Sequence, residues 1–224
     1  MPPPTTPTTK SALEELRDDP SSRGRFLRAL GGGAAAATFA ATLAACGKKK
    51  AAGNQIGGAG VGTATYGQGD AGIVNFALAL EYIEADFYRQ AVASGKLKGR
   101  ALELAKRFGG EERAHIATLE GTVRNLGGTP APKPKLTFTL DSRATILSTM
   151  YQLEQVGANA YLGQVDRIQS KQILAAALSI HTVEARHAAV ISTLLGRPIS
   201  PDGPFARPAS SVDVLQSIRP FVTA

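Results

Sequence analysis

Two copies of one four-residue motif, each preceded by a matching glutamate and tyrosine, constrain this chain more than any other feature. Glu112-Arg113-Ala114-His115 and Glu184-Ala185-Arg186-His187 are both Glu-x-x-His. About thirty residues upstream of each stands a Glu with a Tyr seven positions later: Glu81 with Tyr88, and Glu154 with Tyr161. Residues three apart lie on one face of an α-helix, a turn apart, so each motif presents a carboxylate and an imidazole to one side. Glu81 to Glu154 is 73 residues, and Glu112 to Glu184 and His115 to His187 are both 72. The two halves look like a duplication. Four carboxylates and two imidazoles in this order call for four helices that bring them together.

The rest of the chain agrees with an all-α fold. Hydrophobic residues make up 43% of the 224, aromatics only 6%, and there is no Trp. Sandwiches and barrels lean on β-branched and aromatic residues instead. Apolar residues recur at helical spacing from Ile73 through Phe76, Ala77, Leu80 and Phe87 to Ala91, which predicts helix A over about 71–94 with Asp70 as its N-cap. Helix B is expected over about 98–126, with Ala101, Leu104, Phe108, His115, Leu119 and Leu126 on one face. Gly109-Gly110 inside it predicts a local break just before the motif. Pro-rich residues 130–139 have no helical period. Asp141-Ser142 then caps helix C, about 142–168, and helix D follows over about 170–196. The tail, 197–224, is Pro-rich with one short helix expected around Val212 to Ile218. Short A–B and C–D links predict two antiparallel hairpins. The B–C link of about 14 residues reaches up to about 46 Å, enough to cross the length of a 28-residue helix, about 42 Å. The bundle is thus expected over residues 70–196 as two hairpins joined by a long crossover.

The N-terminal part reads as export machinery. Residues 29–45 carry no charge and follow the arginine-bearing stretch Arg23-Gly24-Arg25-Phe26-Leu27-Arg28. This is the layout of a signal peptide, expected over 1–45. Leu43-Ala44-Ala45-Cys46 resembles the bacterial lipobox, in which Cys46 is lipidated and becomes the new N-terminus. The alternative is a transmembrane helix, for which 17 residues rich in Ala and Gly are short and weakly apolar. Ser22 to Arg28 also resembles the twin-arginine export signal, with Gly24 where the second Arg would stand, so the export route stays open. Residues 46–69 are expected to form a flexible tether, whose Lys48-Lys49-Lys50 run suits anionic headgroups. The predicted localisation is extracytoplasmic, anchored to the bacterial cell membrane by lipid. The formal net charge is +7, but no basic stripe interleaved with aromatics is present, so no nucleic-acid partner is expected. Cys46 is the single cysteine, which rules out an intrachain disulfide.

Glu81 and Glu154 fall on the apolar faces of helices A and C. Four buried carboxylates repel one another severely, and charges are almost never fully buried unless paired or bound to metal. Two divalent cations bring +4 against four carboxylates, with the imidazoles binding neutral. An oxygen-rich set with two nitrogens suits iron or manganese. Leu80-Glu81-Tyr82-Ile83-Glu84-Ala85-Asp86-Phe87-Tyr88, the two Glu-x-x-His motifs, and Glu154 with Tyr161 resemble the bacterial ferritin-like domain family over residues 70–196. That resemblance implies that Glu112 and Glu184 bridge two metals, with Glu81 and His115 completing one and Glu154 and His187 the other. It implies two Fe or two Mn ions, and O2 or a peroxide as substrate. The superfamily includes ferroxidases, di-iron oxidases, rubrerythrins and manganese catalases, as well as members with eroded sites, so the reaction stays open.

Several alternatives stand beside this ligand set. Glu81 and Glu84 could form a solvated face with Arg89. Glu84, one turn from Glu81, could replace it or sit behind the ligands. Glu111 competes with Glu112, though only Glu112 has His at i+3. His181, one turn before Glu184, is an extra ligand, a supporting residue or a core histidine. Tyr88 and Tyr161 are packing residues or hydrogen-bond donors that orient ligands. The whole constellation could be a metal-free salt-bridge core. The function expected from the sequence is redox chemistry on O2 or peroxide at a di-metal site. The alternative is a structural or stress-associated cell-envelope protein that binds metal only for stability, or not at all.

Overall fold

The computed structural model describes residues 63 and 65–223; the signal-peptide, lipobox and most of the tether readings fall outside them. Four long helices form the body: α1 (Gly69–Ala93), α2 (Gly99–Asn125), α3 (Arg143–Leu162) and α4 (Lys171–Leu194). A short α5 (Ser211–Ile218) and a 3-10 turn (Arg219–Phe221) follow. A two-residue strand in the crossover, β1 (Lys135–Leu136), pairs antiparallel with β2 (Val222–Thr223).

Contacts along the helices fix their directions. On α1 and α2, Tyr82 meets Glu120 and Glu81 meets His115, while Gly109 packs on Tyr88, so the pair is antiparallel. On α3 and α4, Glu154 meets His187 and Ala158 meets His181, again antiparallel. Tyr88 bonds Glu154 and Tyr161 bonds Glu81, so α1 and α3 also run in opposite directions. It follows that α2 and α3 are parallel. The link between them, residues 126–142, must therefore return the whole length of the bundle; extended, it could reach about 60 Å, against about 30 Å for the 20-residue α3. The fold is a ferritin-like bundle of two antiparallel hairpins joined by a long crossover.

The crossover is tied down by a residue outside every predicted stripe. Buried Asn75 donates from Nδ2 to Tyr66 O (3.1 Å) and Thr129 O (2.9 Å) and accepts from Ala131 N (2.6 Å). The C-terminal tail returns over the same face: Phe138 of the crossover packs on Phe87 of α1 and on Phe221. α1 is thus enclosed by α2, α3 and these segments, and every residue from Gly72 to Glu84 is buried. The remaining core falls into two apolar halves, one containing Tyr88, Phe108, Leu153 and Ile191, the other Tyr82, Leu119, Tyr161 and Leu174.

Three local expectations are corrected. Helix C ends at Leu162, not near 168. Gly163 lies where a Cβ would sit 1.9 Å from Ala209 O, and Ala209 N donates to Asn159 O at 2.9 Å, so the tail crosses the end of α3 there. Val165 and Ile168 keep an apolar period beyond the true end because Ile168 is buried from a turn. Asp70 does not cap α1, whose N-cap is Gln68. Its carboxylate accepts from Gln169 N (2.9 Å) and Ser170 N (2.8 Å) instead, binding the start of α1 to the α3–α4 loop. Gly109-Gly110 does not break α2, which is continuous from Gly99 to Asn125. Gly109 is needed for closeness: a Cβ there would stand 2.8 Å from Tyr88 Cβ. Ser142 caps α3 as expected, its hydroxyl accepting from Thr145 N.

Candidate metal centre

Between the two apolar halves, one helix turn from each of the four long helices carries acid. α1 supplies Glu81 and Glu84, α2 Glu112 and His115, α3 Glu154, α4 Glu184 and His187. Glu81, Glu112, Glu154 and Glu184 are 0% exposed. The Glu-x-x-His spacing does in three dimensions what helix geometry requires, since His115 Nδ1 lies 2.9 Å from Glu112 Oε2 on its own helix. The same Nδ1 is 3.1 Å from Glu81 Oε2 and 3.3 Å from Glu184 Oε1. In the other half, His187 Nδ1 lies 3.0 Å from Glu154 Oε2 and 3.2 Å from Glu112 Oε1.

Two sets of donor atoms result, each within 4.8 Å of one another and each able to hold a metal ion: Glu81, Glu112, His115 and Glu184, and Glu112, Glu154, Glu184 and His187. Glu112 and Glu184 belong to both. The structure therefore brings together all six residues singled out by the motif and leaves the two glutamates of the Glu-x-x-His motifs between the halves.

Without ions, the electrostatics of this cluster are unfavourable. Burial pushes Glu81 up to about 7, the His115 interactions only partly opposing it. Burial and neighbouring carboxylates, Glu112 foremost for Glu184 and Glu184 foremost for Glu84, raise those two far above the usual range. Burial also raises Glu154. Glu112 alone goes the other way: burial opposes it, but hydrogen bonds from His115 and His187 hold it down to about 2. Burial would lower both histidines, yet the carboxylates override it. His187 is pushed up to about 10 by Glu112 and Glu154, and His115 is raised further, chiefly by the Glu81 charge. Even so, Glu84 Oε2 and Glu184 Oε2 are buried with no hydrogen-bond partner, and Glu112 Oε1 and Glu184 Oε1 each face an imidazole Nδ1, at 3.2 and 3.3 Å, without the geometry of a hydrogen bond. Buried polar atoms are almost always satisfied. Orphaned carboxylate oxygens around two imidazole Nδ1 atoms fit a pair of hard or borderline divalent ions.

The surrounding residues hold this set in place. The tyrosine hydroxyls cross between the hairpins: Tyr88 of α1 donates to Glu154 of α3, and Tyr161 of α3 donates to Glu81 of α1 at 2.6 Å. Both phenols are buried, and burial raises them well above their ordinary range, so they remain donors. His181 donates from Nδ1 to Ala158 O at 2.9 Å, which spends that nitrogen on the α3 backbone and leaves the residue outside both donor sets. Arg89 pairs with Asp86 and not with Glu81 or Glu84, so no solvated acidic face forms there.

Sequence reasoning missed three contributors. Glu111, read only as a rival to Glu112, binds His187 Nε2 at 2.6 Å and Arg107 at 3.0 Å. A carboxylate on the far nitrogen of a ligating histidine fixes its tautomer and aims Nδ1 inward. Phe108 stacks on the His187 ring with centroids 3.8 Å apart. In the sequence, its place four residues before Glu112 marks only a core position. Gly157 carries no signal by itself, yet a Cβ there would lie 2.8 Å from Glu84 Oε1 and 2.9 Å from Glu184 Oε2. On the α2–α4 side a cleft of about 440 Å³ reaches the histidines of the cluster and is lined by His115, His187, Glu111, Arg107 and Arg186 among others.

No curated protein matches the chain. A family model described as a ferritin-like domain matches residues 69–197, which is more than half of the chain and includes every residue of the cluster.

Proposed function

Since the chain belongs to the ferritin-like domain family, we propose that it holds two iron or manganese ions and carries out redox chemistry on O2 or a peroxide. The observation that carries this reading is the pair of donor sets sharing Glu112 and Glu184, with orphaned oxygens on both. Glu81 and His115 would complete one position, Glu154 and His187 the other. Such ions, when bound, supply electrons and open coordination positions for a small oxidant.

The protein's own residues do the rest. Tyr161 and Tyr88 hold one oxygen each of Glu81 and Glu154, leaving the other turned toward the histidines. Glu111 and Phe108 fix the His187 ring. The apolar halves of the core flank the cluster, and the cleft between α2 and α4 reaches its two histidines. We place the protein outside the cytoplasm, held to the bacterial membrane by lipid on Cys46, on the strength of the signal-peptide layout and the lipobox-like Leu43-Ala44-Ala45-Cys46. Among the described residues no helix is long and apolar enough to cross a membrane.

Iron-loaded protein should consume O2, or manganese-loaded protein should release O2 from hydrogen peroxide, each measured with an oxygen electrode. Neither activity, with fewer than two ions bound per chain by elemental analysis, would overturn the proposal. The network of His115 and His187 with the carboxylates favours one second reading: a structural or stress-associated envelope protein whose core is held by imidazolium–carboxylate pairs. On that reading metal raises only the melting temperature, or nothing at all, and the loaded protein neither consumes O2 nor releases it from hydrogen peroxide. A Cys46→Ala variant that stays in the membrane fraction would refute the lipid anchor.

A further inference from the structure

We propose that Glu84 is a seventh protein ligand of the metal pair, a fifth carboxylate that enters from the α1–α3 side through room left by Gly157. This rests on the di-metal reading above and goes beyond the six ligands on which that reading depends.

Glu84, like His181, lies outside both four-residue donor sets, but unlike His181 it has a buried atom, Oε2, that no hydrogen bond accounts for. Its side chain is on the most enclosed helix and is 2% exposed. The charged groups that act on it most are all acids: Glu184, Glu81, Glu112 and Glu154. Both tyrosine hydroxyls are committed elsewhere, Tyr88 to Glu154 and Tyr161 to Glu81, and the imidazoles are engaged with the other carboxylates. Among the described residues nothing bonds to Oε2. Protonation alone does not resolve this: one proton between Glu84 Oε2 and a Glu184 oxygen would still leave the other Glu184 oxygen without a partner. A cation does resolve it, since both oxygens can then bind the same centre or adjacent ones.

The room for Glu84 is built into the opposite helix. Gly157 is in the interior of α3, where glycine weakens a helix, and it stands three residues after Glu154, on the same face. A Cβ there would come within 3 Å of Glu84 Oε1 and Glu184 Oε2, so any larger residue would push these two carboxylates from their positions. The duplication sharpens the point. The offset that places Glu81 on Glu154 and Tyr88 on Tyr161 places Glu84 on Gly157. The halves match at the ligand and at the tyrosine and differ between them: one presents a carboxylate, the other an absence that accommodates it. The fifth carboxylate also exceeds what two divalent ions neutralise, so it favours ions of higher charge.

The test uses the full chain, first freed of metal and then titrated with Co(II), whose visible absorption reports coordination number and ligand type. Wild type, Glu84→Gln, Glu84→Ala and Gly157→Ala are compared by calorimetry, by absorption, and by melting with and without Co(II). If Glu84 is a ligand, both Glu84 variants lose at least tenfold in affinity for at least one ion. Their Co(II) bands change in intensity and position, and the gain in Tm on loading shrinks, while Gly157→Ala moves the bands as well. Unchanged bands and affinities within twofold in both Glu84 variants overturn the proposal, even where metal-free melting shifts. Wild type that takes up fewer than two ions overturns the di-metal reading itself and this one with it, a result visible before any variant is measured.

Discussion

The two adjacent glycines of α2 should respond to the same substitution with opposite signs. Both lie in the interior of a continuous helix, so replacing either by alanine removes glycine's conformational cost, worth about 0.8–1 kcal/mol. At Gly110 nothing offsets that gain. The new Cβ meets only the end of the flexible Arg113 side chain at 3.7 Å, and stability should rise by about 0.5–1 kcal/mol. At Gly109 the new Cβ would be 2.8 Å from Tyr88 Cβ, and the atom in the way belongs to a phenol buried at 1% exposure. Overpacking of this kind costs about 1–3 kcal/mol, so the net change should be a loss of up to about 2 kcal/mol. At roughly 2–4 °C per kcal/mol for a protein of this size, Gly110→Ala should melt a few degrees above wild type and Gly109→Ala up to about 8 °C below it. Thermal and urea unfolding of the metal-free protein measure both. Because Tyr88 carries the hydrogen bond to Glu154, Gly109→Ala should also weaken metal binding, whereas Gly110→Ala should not. Equal shifts of the same sign would refute the reasoning, since they would mean that α1 and α2 are not held at the distance that excludes a methyl group.

Tyr161→Phe removes a buried hydrogen bond to Glu81 and should destabilise the protein by about 1.5–3 kcal/mol, with Tyr88→Phe close behind; a loss under about 0.5 kcal/mol in urea melts would count against the crossed tyrosines as supports. Stability of the metal-free protein should fall as pH rises. Glu81 is raised from 4.5 to about 7 and His187 from 6.5 to about 10, so the stabilisation from their protonation is complete below about pH 4.5 and 6.5 and is lost as pH passes their folded values. Glu112, held down to about 2, works in the opposite sense only below about pH 4.5. Mn(II) affinity should rise over the same interval, because the ligands must shed protons; a metal-free Tm that climbs between about pH 5 and 10 would contradict the assignment. Asp70→Ala should cost about 1–3 kcal/mol and speed amide hydrogen exchange at Gln169 and Ser170, whose N–H groups its carboxylate accepts.

The sequence disclosed the site more fully than the architecture around it, and the reasons are local. Glu112 with His115 and Glu184 with His187 could be found because a one-turn spacing on a helix needs no knowledge of the partner. Glu81 and Glu154 could be found because a tyrosine seven residues on marks both, and those tyrosines turned out to bond each other's glutamates. Glu111 and Gly157 act across helices, and neither has a spacing that reveals where its partner lies. The end of α3 was misplaced for a similar reason: Ile168 is as apolar as a helix residue, but Ala209, far along the chain, takes the space beside Gly163. Asp70 kept its role as an acceptor of backbone N–H groups and changed only the segment it serves. Asn75 could not be foreseen as an anchor because the loop it holds has no period of its own.

The exchange of hydroxyls between Tyr88 and Tyr161 has the form of two protomers meeting across a dyad, where whatever one gives it also receives. Residues 126–142 join the two partners, so an encounter that separate hairpins would make at their bulk concentration becomes intramolecular. Fusion also releases a constraint. A true homodimer must place the same residue on both sides of its axis, and a carboxylate facing its own copy there would have no space. Within one chain the two sides are free to diverge, with Glu84 on one and Gly157 on the other, and a symmetric scaffold comes to surround an asymmetric centre.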